Sequence, residues 1–143
     1  MTELDLTNPE NFPHWTDEII RFADLDRLDH VNNVMFATYS ESGRVAFLEE
    51  VDPGSTGGNG VGWVIAKLTV NFLAAAYYPG TVRIGTVVRR IGNSSIGVEQ
   101  GLFSNGKCFA TCENILVWAD TKNEKSLPLS DEMKEKLRAY LKE

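Results

Sequence analysis

Residues 21–50 read RFADLDRLDHVNNVMFATYSESGRVAFLEE, and the fold turns on them. A short strand ending in Phe22 runs into an acid-rich loop, and the loop opens onto a long, largely apolar helix. The pattern predicts that helix over about 33–49. Plotted at about 100° per residue, Val34, Met35, Phe36, Ala37, Tyr39, Val45, Ala46, Phe47 and Leu48 cover nearly its whole circumference. Thr38, Glu41, Ser42 and Arg44 interrupt the apolar surface without forming a clean polar arc. A helix apolar on all sides is expected to be buried on all sides. Asn32 or Asn33 suits the N-cap, and Asp52-Pro53-Gly54 ends the helix. The polar residues of the loop crowd against the helix start, where backbone N–H groups lack intrahelical partners. A carboxylate beside free N–H donors and the positive end of a helix dipole is an arrangement that serves acyl transfer.

Such a helix needs a sheet to wrap it, and the flanking sequence supplies strands. WTDEIIRF (15–22) precedes the loop; four further strand patterns follow over 61–73, 81–91, 95–104 and 107–119. Tyr78-Pro79-Gly80, Gly92-Asn93 and Asn105-Gly106 separate these four, and Asn-Gly is a strong two-residue hairpin signal. Long consecutive strands joined by tight turns read as an antiparallel meander. Residues 1–13 read as an N-terminal arm. Ser130 caps a short C-terminal surface helix within 130–143, with Met133, Leu137, Tyr140 and Leu141 on one stripe. The expected architecture is α+β: a single domain over 1–143, with a five-stranded antiparallel sheet curled around one long central helix. Joining two such sheets edge to edge in a homodimer would protect the exposed edges.

A chain of 143 residues with 43% hydrophobic and 24% charged residues is long enough to bury one sizeable core. A net charge of −6 gives no support to nucleic-acid binding or to attraction by an anionic membrane. An anionic ligand must therefore be met by a local cluster of cations. The first residues have neither a basic segment nor an apolar one, so no secretory signal is expected. No apolar run approaches the roughly 18 residues of a membrane span. Cys108 and Cys112 would lie about 13 Å apart on a strand, too far for a disulfide. Two reduced thiols point to a cytoplasmic protein. The run GGNGVG (57–62) precedes a strand and lacks a following Lys-Ser/Thr, unlike a nucleotide loop. Asp24, Asp26, Asp29 and His30 lack the glycine-turn pattern of a calcium loop, so neither a metal nor a cofactor is expected.

The motif Arg21-Phe22-x-Asp24-x-Asp26 with His30-Val31-Asn32-Asn33, followed on the helix by Tyr39-x-Glu41-x-x-Arg44, resembles that of the hotdog-fold acyl-CoA thioesterases. The branch it resembles is the 4-hydroxybenzoyl-CoA thioesterase-like group, and the resemblance runs over about residues 15–141. Two positions depart from the family pattern. Asp29 stands where the family has Gly, and Asp tolerates a positive-φ turn better than most residues. Phe36 stands where the family has Tyr.

The resemblance implies an acyl-CoA substrate, a homodimer or homotetramer, and hydrolysis to free acid and CoA. Asp26 inherits the catalytic position, as nucleophile or as general base toward water. Backbone N–H groups at Asn33 and Val34 would polarise the thioester carbonyl. Because a thiolate leaves more readily than an amine, no dedicated general acid is required. His30, Val31 and Asn32 would orient substrate or water, or simply close the loop on backbone groups. Glu41 would pair with Arg44 or help position water. Arg89 and Arg90, with Asn93, Ser94 and Ser95 at the following turn, are candidates for the CoA phosphates; otherwise the two arginines form a solvated strand end. A second reading is a non-hydrolytic protein of the same fold that binds acyl-CoA or acyl-carrier protein.

Overall fold

The computed structural model describes residues 3–143. The long helix, α1, spans Val34–Val51 and packs one face on the sheet along its length. Strands β1 (His14–Ile20), β2 (Val61–Phe72), β3 (Gly80–Ile91), β4 (Ser95–Ser104) and β5 (Lys107–Asp120) form one antiparallel sheet. Their spatial order is β1-β3-β4-β5-β2, and a two-residue strand β6 (Lys125–Ser126) pairs with β5. The α+β architecture is the hotdog fold expected from the loop motif. The connectivity differs in one respect: the meander holds for β3, β4 and β5, whereas β2 pairs with β5. Residues 73–79 carry the chain back across the sheet to β3, so β2 ends as an edge strand.

The helix is not buried on all sides. Phe36, Tyr39, Ser40, Gly43, Arg44, Phe47, Leu48 and Val51 face inward, whereas Val34, Thr38, Glu41 and Val45 form an exposed stripe. Two polar residues at mid-helix explain the difference, because Ser40 and Arg44 point into the sheet and not away from it. Ser40 Oγ donates to Gln100 Oε1 at 2.6 Å, Gln100 Nε2 donates to the Ser40 carbonyl at 3.0 Å, and Asn114 Nδ2 donates to Gln100 Oε1 at 3.0 Å. Arg44 Nη1 completes the chain on Asn114 Oδ1 at 2.9 Å. Each buried polar group in this layer has a partner, the condition under which a buried network stabilises.

Apolar residues fill both sides of the polar layer. Phe36, Tyr39, Ile84, Leu102 and Phe109 pack toward the start of α1; Phe47, Leu48, Val88, Ile96 and Leu116 pack toward its end. Helix α2 (Asp131–Arg138) covers the latter cluster with Met133 and Leu137, and Ser130 Oγ caps it by accepting the Met133 N–H at 3.1 Å. Tyr140 and Leu141, expected on the same helical stripe, lie beyond the helix end and pack beside β3 through the Val88–Leu141 bridge. The N-terminal arm is more than a polar loop. Phe12 is buried on the outer face of the sheet against Gly85 and Gly101, where a side chain on either glycine would collide with its ring. The first two residues of the predicted arm lie outside the described residues. Cys108 and Cys112 are both free thiols.

Helix and sheet approach most closely at Gly43, where an added methyl would lie 2.3 Å from Ile84 Cγ2. Gly43→Ala is expected to destabilise the fold by about 1–3 kcal/mol through overpacking, despite the better helix propensity of Ala. A urea-denaturation midpoint measures the loss.

Candidate active site

The loop between β1 and α1 is built on a buried carboxylate. Residues Phe22–Asp24 form one 3-10 turn that turns the Asp24 side chain inward, where it is 1% exposed. Asp24 Oδ2 accepts from the Arg21 N–H at 3.0 Å and from the Tyr39 hydroxyl at 2.7 Å. Asp24 Oδ1 accepts from Arg21 Nε at 3.0 Å, with Arg21 Nη2 2.9 Å away. Burial alone would raise the Asp24 pKa; the hydrogen bonds from the Arg21 backbone, Tyr39 and the Arg21 side chain outweigh it and hold the carboxyl below its ordinary range. Burial first, then the bond to Asp24, pushes the Tyr39 hydroxyl upward.

Above this anchor the loop closes on itself. The Asp24 carbonyl accepts the Asn32 N–H at 2.8 Å, the His30 carbonyl accepts the Asp26 N–H at 3.0 Å, and the Asp26 carbonyl accepts the Asp29 N–H at 3.2 Å. Val31 is buried and donates its N–H to the Ala76 carbonyl at 2.8 Å, tying the loop to the β2–β3 connection. Asp29 sits at φ 64°, the left-handed conformation that a glycine would adopt there without strain.

Asp26 lies on the outside of this loop. Its Oδ1 accepts the Leu28 N–H at 2.8 Å in an Asx turn and lies 3.9 Å from His30 Nδ1. Among the described residues, Asp26 Oδ2 has no partner. His30 Nδ1 also lies 3.4 Å from the Val31 carbonyl, and its ring meets Tyr77 edge-on at 6.3 Å. Phe22 (74% exposed) and Leu28 (73%), with Tyr77 and Tyr78, give the surroundings of the loop an apolar surface.

At the start of α1 the two expected N–H donors differ. The Val34 N–H donates to Asn32 Oδ1 at 3.2 Å, whereas the Asn33 N–H has no acceptor among the described residues. The cap is therefore made by the Asn32 side chain, and Asn33 makes no side-chain cap bond. Glu41 is exposed, with its carboxylate 3.6 Å from Arg44 Nη2.

The remaining predicted residues are not brought to the loop within one chain. Gly80 pairs with Ile20 beside the loop, and Arg90 lies at the other end of β3, roughly 33 Å away at about 3.3 Å per residue. Arg89 is no solvated strand end: it is buried, pairs with Glu99, and donates to the Lys142 carbonyl at 2.9 Å. Arg90 Nη2 donates to Ser95 Oγ at 3.2 Å. The Asn93 and Ser94 carbonyls accept the Leu129 and Trp118 N–H groups, both at 2.8 Å, so this turn anchors the segment before α2. A cavity of about 170 Å³ between α1 and β2 is lined by Glu41, Arg44, Leu48, Trp63 and Ile65. The buried Trp63 indole N–H lacks a partner. Among the described residues no three His, Cys, Asp or Glu side chains converge as a metal site.

The clamp of Arg21, Asp24 and Tyr39 was not assigned a role from sequence. The Arg21-x-x-Asp24 spacing was a legible signal for the ion pair, but the reach from Tyr39 back to the loop was not.

The family model described as "Thioesterase-like superfamily" matches residues 20–137. The chain belongs to the thioesterase-like superfamily. A thioesterase from Thermus thermophilus, solved with coenzyme A and Zn, is 30% identical at a TM-score of 0.82, covering 92% of this chain and 96% of that one. The PA5185 protein of Pseudomonas aeruginosa has a TM-score of 0.84 at 24% identity, with 93% and 94% covered. A DHNA-CoA thioesterase from Staphylococcus aureus has a TM-score of 0.80 at 19% identity, with 87% and 90% covered. The last two likenesses speak for the fold alone. No curated protein matches the chain.

Tyr39→Phe removes a single hydrogen bond from the buried Asp24 carboxylate and is expected to cost about 1.5–3 kcal/mol in urea denaturation. The depressed Asp24 pKa also fixes a sign. The folded protein binds fewer protons at this site than the unfolded chain, so the stability contributed by Asp24 is present above the ordinary carboxylate range. It is lost as pH falls through the lower folded pKa. Asp24→Asn should flatten that acid limb of the stability–pH curve.

Proposed function

We propose that the protein hydrolyses the thioester of an acyl-CoA to free acid and CoA, with Asp26 as the reacting carboxylate. The observation that carries this reading is the Asp26 loop itself. It presents one carboxylate oxygen without a protein partner, on a backbone held by a buried anchor, next to a helix start whose Asn33 N–H is unpaired. Asp26 attacks the thioester carbon directly, or takes a proton from an attacking water. Either route places negative charge on the carbonyl oxygen, which the Asn33 N–H and the helix dipole stabilise. Collapse of the tetrahedral adduct breaks the C–S bond and expels CoA as the thiolate, which needs no positioned acid; after direct attack the acyl–Asp26 anhydride is hydrolysed by water to the free acid, whereas attack by water gives the acid in one step. The thioesterase from Thermus thermophilus solved with coenzyme A supports CoA as the carrier.

The site is completed in this reading by a second copy. Strand β2 has a free edge carrying the exposed Val64, Ile65 and Phe72, the kind of edge that pairing covers. Antiparallel pairing of two β2 strands about a two-fold axis reverses one sheet against the other. The Arg90–Ser95 end of one chain then approaches the Asp26 end of its partner, and the cavity beside Trp63 becomes the candidate for the acyl group. The protein is a homodimer or a higher homo-oligomer on this account. No helix among the described residues is long and apolar enough to cross a membrane, and the two free thiols support a cytoplasmic setting.

One observation favours a second reading. Asn32 Oδ1 occupies the Val34 N–H, leaving a single free donor where two were expected. A non-hydrolytic protein that binds acyl-CoA or acyl-carrier protein needs no second donor. Free-thiol release from a panel of acyl-CoAs separates the two readings. Turnover by the unaltered protein, reduced about 100-fold or more in a folded Asp26→Ala variant, is expected for the hydrolase. Saturable binding without turnover on any member of the panel establishes the second reading, and a fully active Asp26→Ala protein refutes the role of Asp26.

A further inference from the structure

Among the described residues two arginines are buried, Arg44 and Arg89, and they are neutralised to different degrees. Arg89 meets the Glu99 carboxylate directly and donates to the Lys142 carbonyl at 2.9 Å. Arg44 donates through Nη1 to a neutral amide, Asn114 Oδ1, at 2.9 Å. Its carboxylate partner, Glu41, stands 3.6 Å from Nη2, beyond a normal hydrogen bond, and is 65% exposed. A pair of that kind contributes little and exchanges readily for another anion. No other carboxylate pairs with the Arg44 guanidinium among the described residues. Burial pulls the Arg44 pKa below its ordinary range, and the Glu41 charge opposes the shift only in part.

Arg44 lines the cavity of about 170 Å³ between α1 and β2. The rest of the wall is chiefly apolar, with Val45 and Leu48 from the helix and Trp63 and Ile65 from β2, and Glu41 is its one acidic side chain. Such a wall favours an aliphatic segment. A guanidinium, however, carries five N–H donors, and only one of those on Arg44 has a protein acceptor within hydrogen-bond distance. A buried cation short of a counter-ion is costly, and the planar guanidinium takes a carboxylate through two parallel hydrogen bonds. Within one chain, Arg44 lies roughly 16 Å along the helix from Asn33 at about 1.5 Å per residue, and a long helical side chain leans back toward the helix start. A ligand that meets both the Asn33 N–H and the Arg44 guanidinium is therefore elongated, apolar in the middle and anionic at the far end.

We propose that Arg44 binds a carboxylate at the far end of the acyl group, so that the preferred substrates are monothioesters of dicarboxylic acids. The reaction and the CoA carrier rest on the thioesterase reading above; the second acid function rests on Arg44 and its cavity. Val45, Leu48, Trp63 and Ile65 receive the methylenes, and the substrate carboxylate takes the position beside Nη2 that Glu41 holds at 3.6 Å. Glu41 is then a weak competitor that shields the guanidinium when no diacid is bound, and the charge at position 41 helps to set the selectivity.

Hydrolysis of a series of dicarboxylic acid mono-CoA thioesters, each set against the unbranched monocarboxylic acyl-CoA of equal carbon number, tests this through the ratio of their kcat/KM values. The unaltered protein is expected to favour the diacid about tenfold or more at one chain length at least. Glu41→Gln, a change at an exposed position, removes the competing charge and is expected to raise that ratio about twofold to fivefold. Arg44→Met should bring the ratio to about one or below, with its urea midpoint as the check on folding; Glu41→Gln decides the matter where Arg44→Met does not fold. A preference for the monoacid at every chain length, or a ratio that Glu41→Gln leaves unchanged, overturns the proposal. The two readings fail separately. Turnover of the monoacid thioesters with no gain for the diacids removes the carboxylate site and leaves the hydrolase. Absence of turnover with every thioester defeats the hydrolase instead. Calorimetric titration of the unaltered and Glu41→Gln proteins with the same series then reads the preference as a ratio of dissociation constants, with the same expected and contrary results.

Discussion

A carboxylate that is 1% exposed is costly to bury unless donors surround it, and Asp24 is surrounded by the Arg21 N–H, the Arg21 guanidinium and the Tyr39 hydroxyl. The arrangement places three parts of the chain at fixed distances: the end of β1, the loop, and the second turn of α1. The Asp24 carbonyl then receives the Asn32 N–H, so the two ends of the loop are pinned to the same residue. Everything assigned to the site depends on that geometry. Asp26 lies two residues from Asp24, and Asn33 lies one residue beyond Asn32. A reacting carboxylate held on a loose loop would lose much of the advantage of orientation, because small misplacements at a reacting centre are expensive in rate.

A second constraint acts through the helix. The middle of α1 meets the sheet through Ser40, Gly43 and Arg44, not through large apolar residues, and the Gln100–Asn114 layer satisfies each polar group. Close contact at Gly43 with Ile84 fixes the height of the helix above the sheet. The same polar layer leaves Val34, Thr38, Glu41 and Val45 outward. That stripe and the free edge of β2 are where the single chain is least complete, and they are the surfaces that the proposed two-fold partner would use.

Much of this was legible in the sequence. The helix and each of the five main strands fall within a residue or two of their predicted spans, because Asp52-Pro53-Gly54, Asn105-Gly106 and the alternation of the strands are local signals. The placement of β2 at the edge was not legible, since strand order is decided by long-range pairing that no turn announces. The all-round burial expected of α1 does not hold, for a related reason. A wheel with apolar residues on nearly every side cannot say which face is buried, and only the partners of Ser40 and Arg44, sixty or more residues away, decide it. Within the site, the positive φ of Asp29 follows from a glycine position in the motif. The capture of the Val34 N–H by the Asn32 side chain depends on a rotamer and has no sequence signature.

The central claim is that a thioester carbonyl sits between Asp26 and the Asn33 N–H. A crystal structure with an acyl-CoA analogue whose thioester sulfur is replaced by methylene, so that the carbonyl is retained but cannot be cleaved, tests this most directly. The account predicts the carbonyl carbon beside Asp26 Oδ2 and the carbonyl oxygen within hydrogen-bonding distance of the Asn33 N–H. An analogue bound with its carbonyl remote from the Asp26 loop would contradict the account.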